Sequence, residues 1–365
     1  MLTVYTIEQT AAWDALVRTF SNYDVYYLSG YVKAFQLHGD GEPLLFYGEA
    51  DGVRGLNVVM KRDIAADPHF AGSLPADTYF DFATPYGYGG WLLEGAGDPA
   101  PIFAGYERWC GKHGIVSEFV RYHPVLKNHA RMETAYEVTA LGGTIAMDLT
   151  SPETIWVNLS SKNRNVIRKA QKNNVRIYSG RSPELFEIFR EIYNATMDKD
   201  NASDYYYFAP SFYESVCKDL PHNSQIFYAQ LPDGTVIASS IMLWANGRMN
   251  YHLSGSCREY QSLAPTNLLL YQAALWGYEA GCKTLHLGGG VGSGEDSLLR
   301  GAVSLIREAI SCISSQALLY SFIKYSRPPE VFPFSRPSQR FRPSHRSSSS
   351  QIPRSVLPVF MLTTI

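Results

Sequence analysis

An internal repeat restricts the fold of this chain more than any other feature. FYGEADGVRGLNVVM at 46–60 aligns with FYAQLPDGTVIASSIM at 227–242, with one residue inserted before the Asp-Gly pair. In each copy two runs of strand-forming residues flank an Asp-Gly turn, a strong short-range hairpin signal. Farther on, each copy has a helical pattern ending in glycine (His113-Gly114 and Ala280-Gly281) and then a short strand pattern. Such self-similarity predicts two domains of one kind in tandem. The length of 365 residues agrees, since a domain takes about 100–200.

Helix and strand signals alternate along both copies. Residues 7–20 and 28–36 carry helical spacing, LLFYGE and LNVVMK read as strands, and FDFATPYGYGGW at 80–91 reads as a loop over the sheet. A helix near 99–113 and a strand at 115–123 follow. TIAMDL at 144–149 opens the second alternation. ETIWVNLSSKNRNVIRKAQKNN reads as helix, VRIYSG as strand and LFEIFREIYNATMD as helix. From SQIFYAQ to RMNYHLSGS the pattern is a three-strand antiparallel meander, and a helix at 264–281 and the strand TLHLGG close the regular part. After Ser297 the character changes: 301–325 reads as a helical segment. Residues 326–365 are rich in Ser, Pro and Arg, with one acid, Glu330, and read as a disordered tail.

Composition removes several classes of function. A net charge of −2 gives no support to a dedicated nucleic-acid binder, which normally carries a basic excess, and no DNA partner is expected. No apolar run approaches the roughly 18 residues of a membrane span, and MLTVYTIEQTAAW lacks the basic start and apolar stretch of a secretory signal. The five cysteines are scattered without CxxC spacing, which predicts reduced thiols in a cytoplasmic protein rather than disulfides or a zinc site. Tyrosine is in excess, at 25 residues, and points to a groove for a polar ligand.

Three segments carry chemistry. In Ser160–Ala170, Val166, Ile167 and Ala170 share one helical face, while Arg164, Arg168 and Lys172 share another. That basic face is either solvated or an anion contact. Gly288–Gly294 follows a strand but has neither a Gly-Lys-Ser/Thr ending nor a G-x-G-x-x-G. It therefore excludes nucleotide hydrolysis and dinucleotide binding, and leaves a turn that lets backbone approach a ligand. His252, next to Tyr251, is either a general base, with an ordinary pKa near 6.5, or a satisfied structural side chain. No metal ligand stands at suitable spacing from it.

Taken in order, SSKNRNVIRKAQKNNV, YNATMDKDNASDYYYF, YHLSGS with APTNLLLYQAALWGYEAG, and HLGGGVGSGEDSL closely resemble the FemAB-like branch of the GNAT acyltransferases. DFATPYGYGGW and RYHPVL at 121–126 resemble its N-terminal half, so the likeness runs from residue 1 to Ser297. It implies an α/β (α+β) fold of two tandem GNAT-like domains, 1–150 and 151–300, with mixed, mostly antiparallel sheets flanked by helices. It also implies transfer of an acetyl or aminoacyl group onto an amine of a small molecule or cell-envelope precursor. The donor would be acetyl-CoA or another acyl donor, or alternatively aminoacyl-tRNA, which would make tRNA a partner.

Carried over by position, Lys33 stands near a lysine that the bridge-forming members use for precursor phosphate. Tyr86, Tyr206, Asn267 and the Arg164/Arg168 face are further substrate-binding candidates, and Tyr251 and His252 are the candidates for proton handling. The chain departs from the family in two places. The pyrophosphate loop, Arg/Gln-x-x-Gly-x-Gly/Ala, stands here as Gln261-Ser262-Leu263-Ala264-Pro265-Thr266, without its glycines, which weakens the case for coenzyme A. An aromatic-Lys-aromatic stretch expected after GEDSL is replaced by Leu299–Val303. That break predicts a disrupted reading frame near Ser297–Arg300, a second domain with an unpaired strand edge or apolar patch, and, as a rival reading, a non-catalytic binding module.

Overall fold

The computed structural model describes residues 2–289 and 310–320. The first half runs β1 (Leu2–Thr6), α1 (Thr10–Arg18), α2 (Ser29–His38), β2 (Glu42–Ala50), β3 (Val53–Asp63), β4 (Phe80–Ala83), β5 (Leu92–Gly95), α3 (Ala100–Lys112) and β6 (Ile115–Arg121). A linking segment follows: β7 (Glu137–Asp148), α4 (Pro152–Asn158) and α5 (Ser161–Lys172). The second half is β8 (Arg176–Gly180), α6 (Pro183–Asp200), α7 (Pro210–Asp219), β9 (Ser224–Gln230), β10 (Val236–Ala245), β11 (Arg248–Ser256), α8 (Pro265–Glu279) and β12 (Thr284–Gly288). A last strand, β13, spans Ile310–Tyr320.

Setting β5 aside, the two halves have the same order and the same pairing. β1–β2–β3–β4 and β8–β9–β10–β11 are antiparallel meanders; a helix follows, α3 or α8, and then a strand parallel to the last, β6 on β4 or β12 on β11. Segments 46–60 and 227–242 therefore occupy equivalent hairpins, and the duplication read from the sequence holds. The glycines that end α3 and α8 also match, with Gly114 at φ +72° and Gly281 at φ +81°, a left-handed conformation that stops a helix without side-chain strain.

Two expectations are corrected. The stretch at 80–91 is a loop only from Thr84 onward. Phe80–Ala83 is β4, held between β3 and β6, so ladder pairing on both sides outweighs its Gly- and Tyr-rich surroundings. The segment expected to be helical at 301–325 contains β13, antiparallel to β6 on one side and to β7 on the other. There the strand supplies partners to backbone groups of both neighbours, which a helix cannot do, and tertiary pairing overrides local preference. The halves thereby join in one thirteen-stranded sheet, β1-β2-β3-β4-β6-β13-β7-β12-β11-β10-β9-β8, with β5 paired to β3 off this path. At the junction between them β13 is paired on both sides. The tail at 326–365, residues 290–294 of the glycine run and Leu299–Val303 lie outside the described residues.

Three apolar cores cover the sheet. α3 buries Phe103, Tyr106 and Cys110 against the first half. α8, with α4 and α5, buries Leu268, Leu269, Ala273 and Ile167 against the second. On the opposite face α1 and α2 meet α6 and α7 in a core shared by both halves, with Trp13, Tyr31, Phe35, Phe189, Phe212 and Tyr213. α2 and α7 approach so closely that a Cβ on Gly30 would lie 2.3 Å from the Asp219 carbonyl oxygen.

Candidate active site

The site grows from a divergence of two strands. β11 pairs with β12 only through Arg248, Met249 and Asn250, yet runs on to Ser256. From Tyr251 onward that edge has no strand neighbour among the described residues. A β-bulge breaks the alternation here: Tyr251 pairs with Met242 and Leu253 with Ile241 of β10, which leaves His252 as the extra residue. Tyr251 turns to the α8 side, where it packs on the core and lines a cavity of about 200 Å³ with Thr196, Lys199, Ser239, Ser256 and Thr266. His252 turns to the shared face, its ring centroid 5.7 Å from that of Tyr31, 5.8 Å from Tyr86 and 6.1 Å from Phe35. Its Nε2 is shut off from solvent and has no hydrogen-bond partner among the described residues. Burial pushes its pKa down to about 3, so it is neutral, with a free ring nitrogen.

Around His252 lies an aromatic cleft built by both halves. The Tyr31 hydroxyl donates to the Tyr86 carbonyl, fixing the loop after β4. Tyr205 and Tyr206, on a 3-10 turn between α6 and α7, close the other side, with centroids 6.1 Å between Tyr86 and Tyr205 and 5.5 Å between the two neighbours. The Tyr205 hydroxyl donates to Asp40 Oδ2 at 2.9 Å, and burial raises the pKa of that carboxyl. Behind the cleft Asp24 and His123 are fully buried, with His123 Nε2 and Asp24 Oδ2 2.8 Å apart. The Leu126 N–H donates to His123 Nδ1, which leaves Nε2 as the nitrogen that donates to Asp24. Asn250 Nδ2 also donates to Asp24, so this pair fastens the first half to β11 at the point where β12 departs.

The residues named from sequence separate into two groups. Tyr86, Tyr206 and His252 come together in the cleft, whereas Tyr251 stands on the other face, so it and His252 do not share a proton. The basic face is not assembled. Lys33 Nζ pairs with Asp219 at 3.0 Å across the α2–α7 contact. Arg164 donates to the carbonyls of Trp156, Val157 and Leu159. Arg168 lies 5.1 Å over the Trp156 ring and bonds Asn165 Oδ1. The cause is a break that the periodicity hides. What reads as one helix is α4 and α5, interrupted at Leu159, with Ser160 capping α5 through the Asn163 N–H. Arg164 therefore turns back onto the open carbonyls of α4. Asn267 Nδ2 is spent on Asn163 Oδ1 at 2.9 Å, tying α8 to α5. Sequence reasoning missed Tyr31, Phe35, Asp40 and Tyr205. The run Asp204–Phe208 and the tyrosine excess were the signals available.

At the start of α8, Ala264 takes φ +53° and ψ +48°, the left-handed region where the family loop carries glycine. The turn survives the loss of glycine, although Pro265 brings no N–H to the first helical position.

Strands that splay beside the start of a helix, in a unit repeated across two halves, define the acyltransferase fold of the GNAT class. Residues 161–294 match the acetyltransferase (GNAT) domain family. Among solved structures the chain is similar to FemX, at 13% identity and TM-score 0.63, over 87% of this chain and 96% of that one. It is also similar to L-PGS from Bacillus licheniformis, at 12% identity and TM-score 0.55, over 86% and 92%. A conserved protein of unknown function from Bacteroides thetaiotaomicron gives 10% identity and TM-score 0.56, over 88% and 100%. No curated protein matches the sequence. Residues 161–294 thus match a GNAT-type acetyltransferase domain, and the two-half fold of the whole chain is similar to that of FemX.

Proposed function

We propose that the protein moves an acyl group from a donor lying along the free edge of β11 to an amine seated in the aromatic cleft, with His252 as the proton acceptor. The observation that carries this reading is the orphaned, neutral Nε2 of His252, whose ring packs against Tyr31, Phe35 and Tyr86. An amine attacking a carbonyl must lose a proton; an imidazole with a pKa near 3 is a weak base for this, so the reading requires bound substrate to raise that pKa. Tyr251 and the small hydroxyl residues of the 200 Å³ cavity flank the opposite side of the same strand edge, where the acyl end of the donor would lie. The left-handed turn at Ala264 favours an acyl-CoA donor. Aminoacyl-tRNA is the second reading, favoured by the likeness to FemX. Either donor would be met in the cytoplasm. No helix among the described residues is long and apolar enough to cross a membrane, and no group of His, Cys, Asp or Glu among them is arranged to hold a metal ion.

The test is transfer by the purified protein from a panel of acyl-CoAs and charged tRNAs to small amines and cell-envelope precursors. His252→Gln is expected to lower kcat about 10²–10⁴-fold, the usual contribution of a positioned base. Absence of transfer from every donor would return the chain to a binding module.

A further inference from the structure

We infer that the outer surface of α4, α5 and α8 docks on an anionic lipid bilayer, with the cations of α5 at the headgroup phosphates and an apolar stripe of α8 beside them. Between Glu153 and Glu184 the chain carries seven Lys and Arg residues and no acid. α5 buries Asn163, Ile167 and Ala170, so its opposite side presents Lys162, Arg168, Lys169 and Lys172, all exposed. The lysines ion-paired among the described residues are Lys33, Lys61 and Lys199; none of them is on α5. α8 has no charged residue before Glu279, and its outward positions Tyr271, Leu275 and Tyr278, at i, i+4 and i+7, remain partly exposed. Val157 near the end of α4 is 57% exposed, the most of any large apolar side chain among the described residues. The cationic and apolar parts are contiguous. The Arg168 guanidinium lies 5.1 Å over the Trp156 ring, and that ring is 5.1 Å from the ring of Tyr271.

A helix apolar on every side is normally covered on every side, and the outer stripe of α8 is not. A partner that covers it and also meets the charge of α5 must be apolar and anionic at once. A bilayer with acidic headgroups is both: clusters of Lys and Arg are drawn to it, and Trp and Tyr rings settle at headgroup level. RNA matches the charge alone. A phosphate backbone gains nothing from Val157 or Leu275, and a net charge of −2 leaves no wider basic field to steer it. The chain's own end does not suit the surface either, because residues 326–365 hold six arginines to one acid and α5 would repel them.

Co-sedimentation of the full chain with lipid vesicles tests this surface with neither donor nor acceptor present. Vesicles of phosphatidylcholine mixed with phosphatidylglycerol should carry the protein down, and vesicles of phosphatidylcholine alone should not. Added salt should release it. Lys162→Gln, Lys169→Gln and Lys172→Gln combined should lower the partition coefficient about a hundredfold, at roughly fivefold per cation near such a surface. Val157→Ser with Tyr278→Ser should weaken vesicle binding several-fold and leave binding to poly(U), a plain phosphate polymer, unchanged. Circular dichroism matching the wild type keeps a loss of binding from being a loss of fold, since all five side chains are exposed. Equal sedimentation with neutral and anionic vesicles, or undiminished binding by the triple variant, overturns the inference. Binding that needs the lysines but not Val157 and Tyr278, and that poly(U) displaces, assigns the surface to RNA and overturns the lipid reading as well.

Discussion

His252 and His286 are held neutral by the same cause, burial, and each has its pKa pushed down to about 3; for His286 the neighbouring His123 adds to it. In the unfolded chain each takes a proton near 6.5. Between about 6.5 and about 3, protons therefore favour the unfolded state. Stability is full above that window and falls as pH drops through it. Urea titrations at pH 7, 5 and 4 should show this loss, and His286→Asn should flatten the slope. Glu118 works in the opposite sense. It is buried beneath α3, accepts from Asn57 Nδ2 at 3.0 Å and from the Tyr136 hydroxyl at 2.9 Å, and burial still raises its pKa to about 7. Folding then retains a proton that the unfolded chain releases near 4.5, so its contribution is full below about 4.5 and lost as pH rises through about 7. Glu118→Gln should match the wild type near pH 4.5 and exceed it at pH 8 by up to about 3 kcal/mol in urea denaturation. Neither histidine nor glutamate announces this in the sequence, because a pKa is set by neighbours that are distant along the chain.

Elements were more legible than residues. The hairpins at Asp51-Gly52 and Asn246-Gly247 follow from turn chemistry, with positive φ at all four positions. The glycine stops of α3 and α8 follow for the same local reason. α4 and α5 did not resolve, since the apolar spacing continues across Leu159 and only the cap at Ser160 marks the break. That single error misassigned Arg164, whose charge serves α4 rather than a ligand. Packing between elements was not legible either: Gly30 reads as an ordinary residue of a short helix, but it allows α2 to touch α7. Gly30→Ala should separate the two helices and cost roughly 1–3 kcal/mol of stability, as overpacking does. The Lys33–Asp219 pair would lengthen with it. Denaturant unfolding with an unchanged m-value is the check.

At the scale of the whole molecule, β13 makes two repeated units into one sheet. Ala317 pairs with Val120 of β6 and with Val138 of β7, so its backbone serves both halves. Ala317→Pro should remove a ladder bond and obstruct pairing in a central strand, lowering stability by more than about 1 kcal/mol. Both halves should be affected together, read as earlier loss of near-UV signal from Trp91 in the first half and Trp276 in the second.

The sequence by itself determined what is local or periodic: two repeated units, their hairpins, their helix stops and the family they resemble. It also named Tyr86 and Tyr206 as substrate-binding candidates and His252 for proton handling, and the fold brings Tyr86 and His252 within 5.8 Å of each other. Tertiary structure alone decided that a segment read as helical is a strand, since backbone groups of β6 and β7 from different halves require a partner there. It decided, too, which cations are free. Lys33, Arg164 and Arg168 each find a partner that spacing cannot reveal. Charge is local to a residue, but whether it is already neutralised depends on what the fold brings beside it.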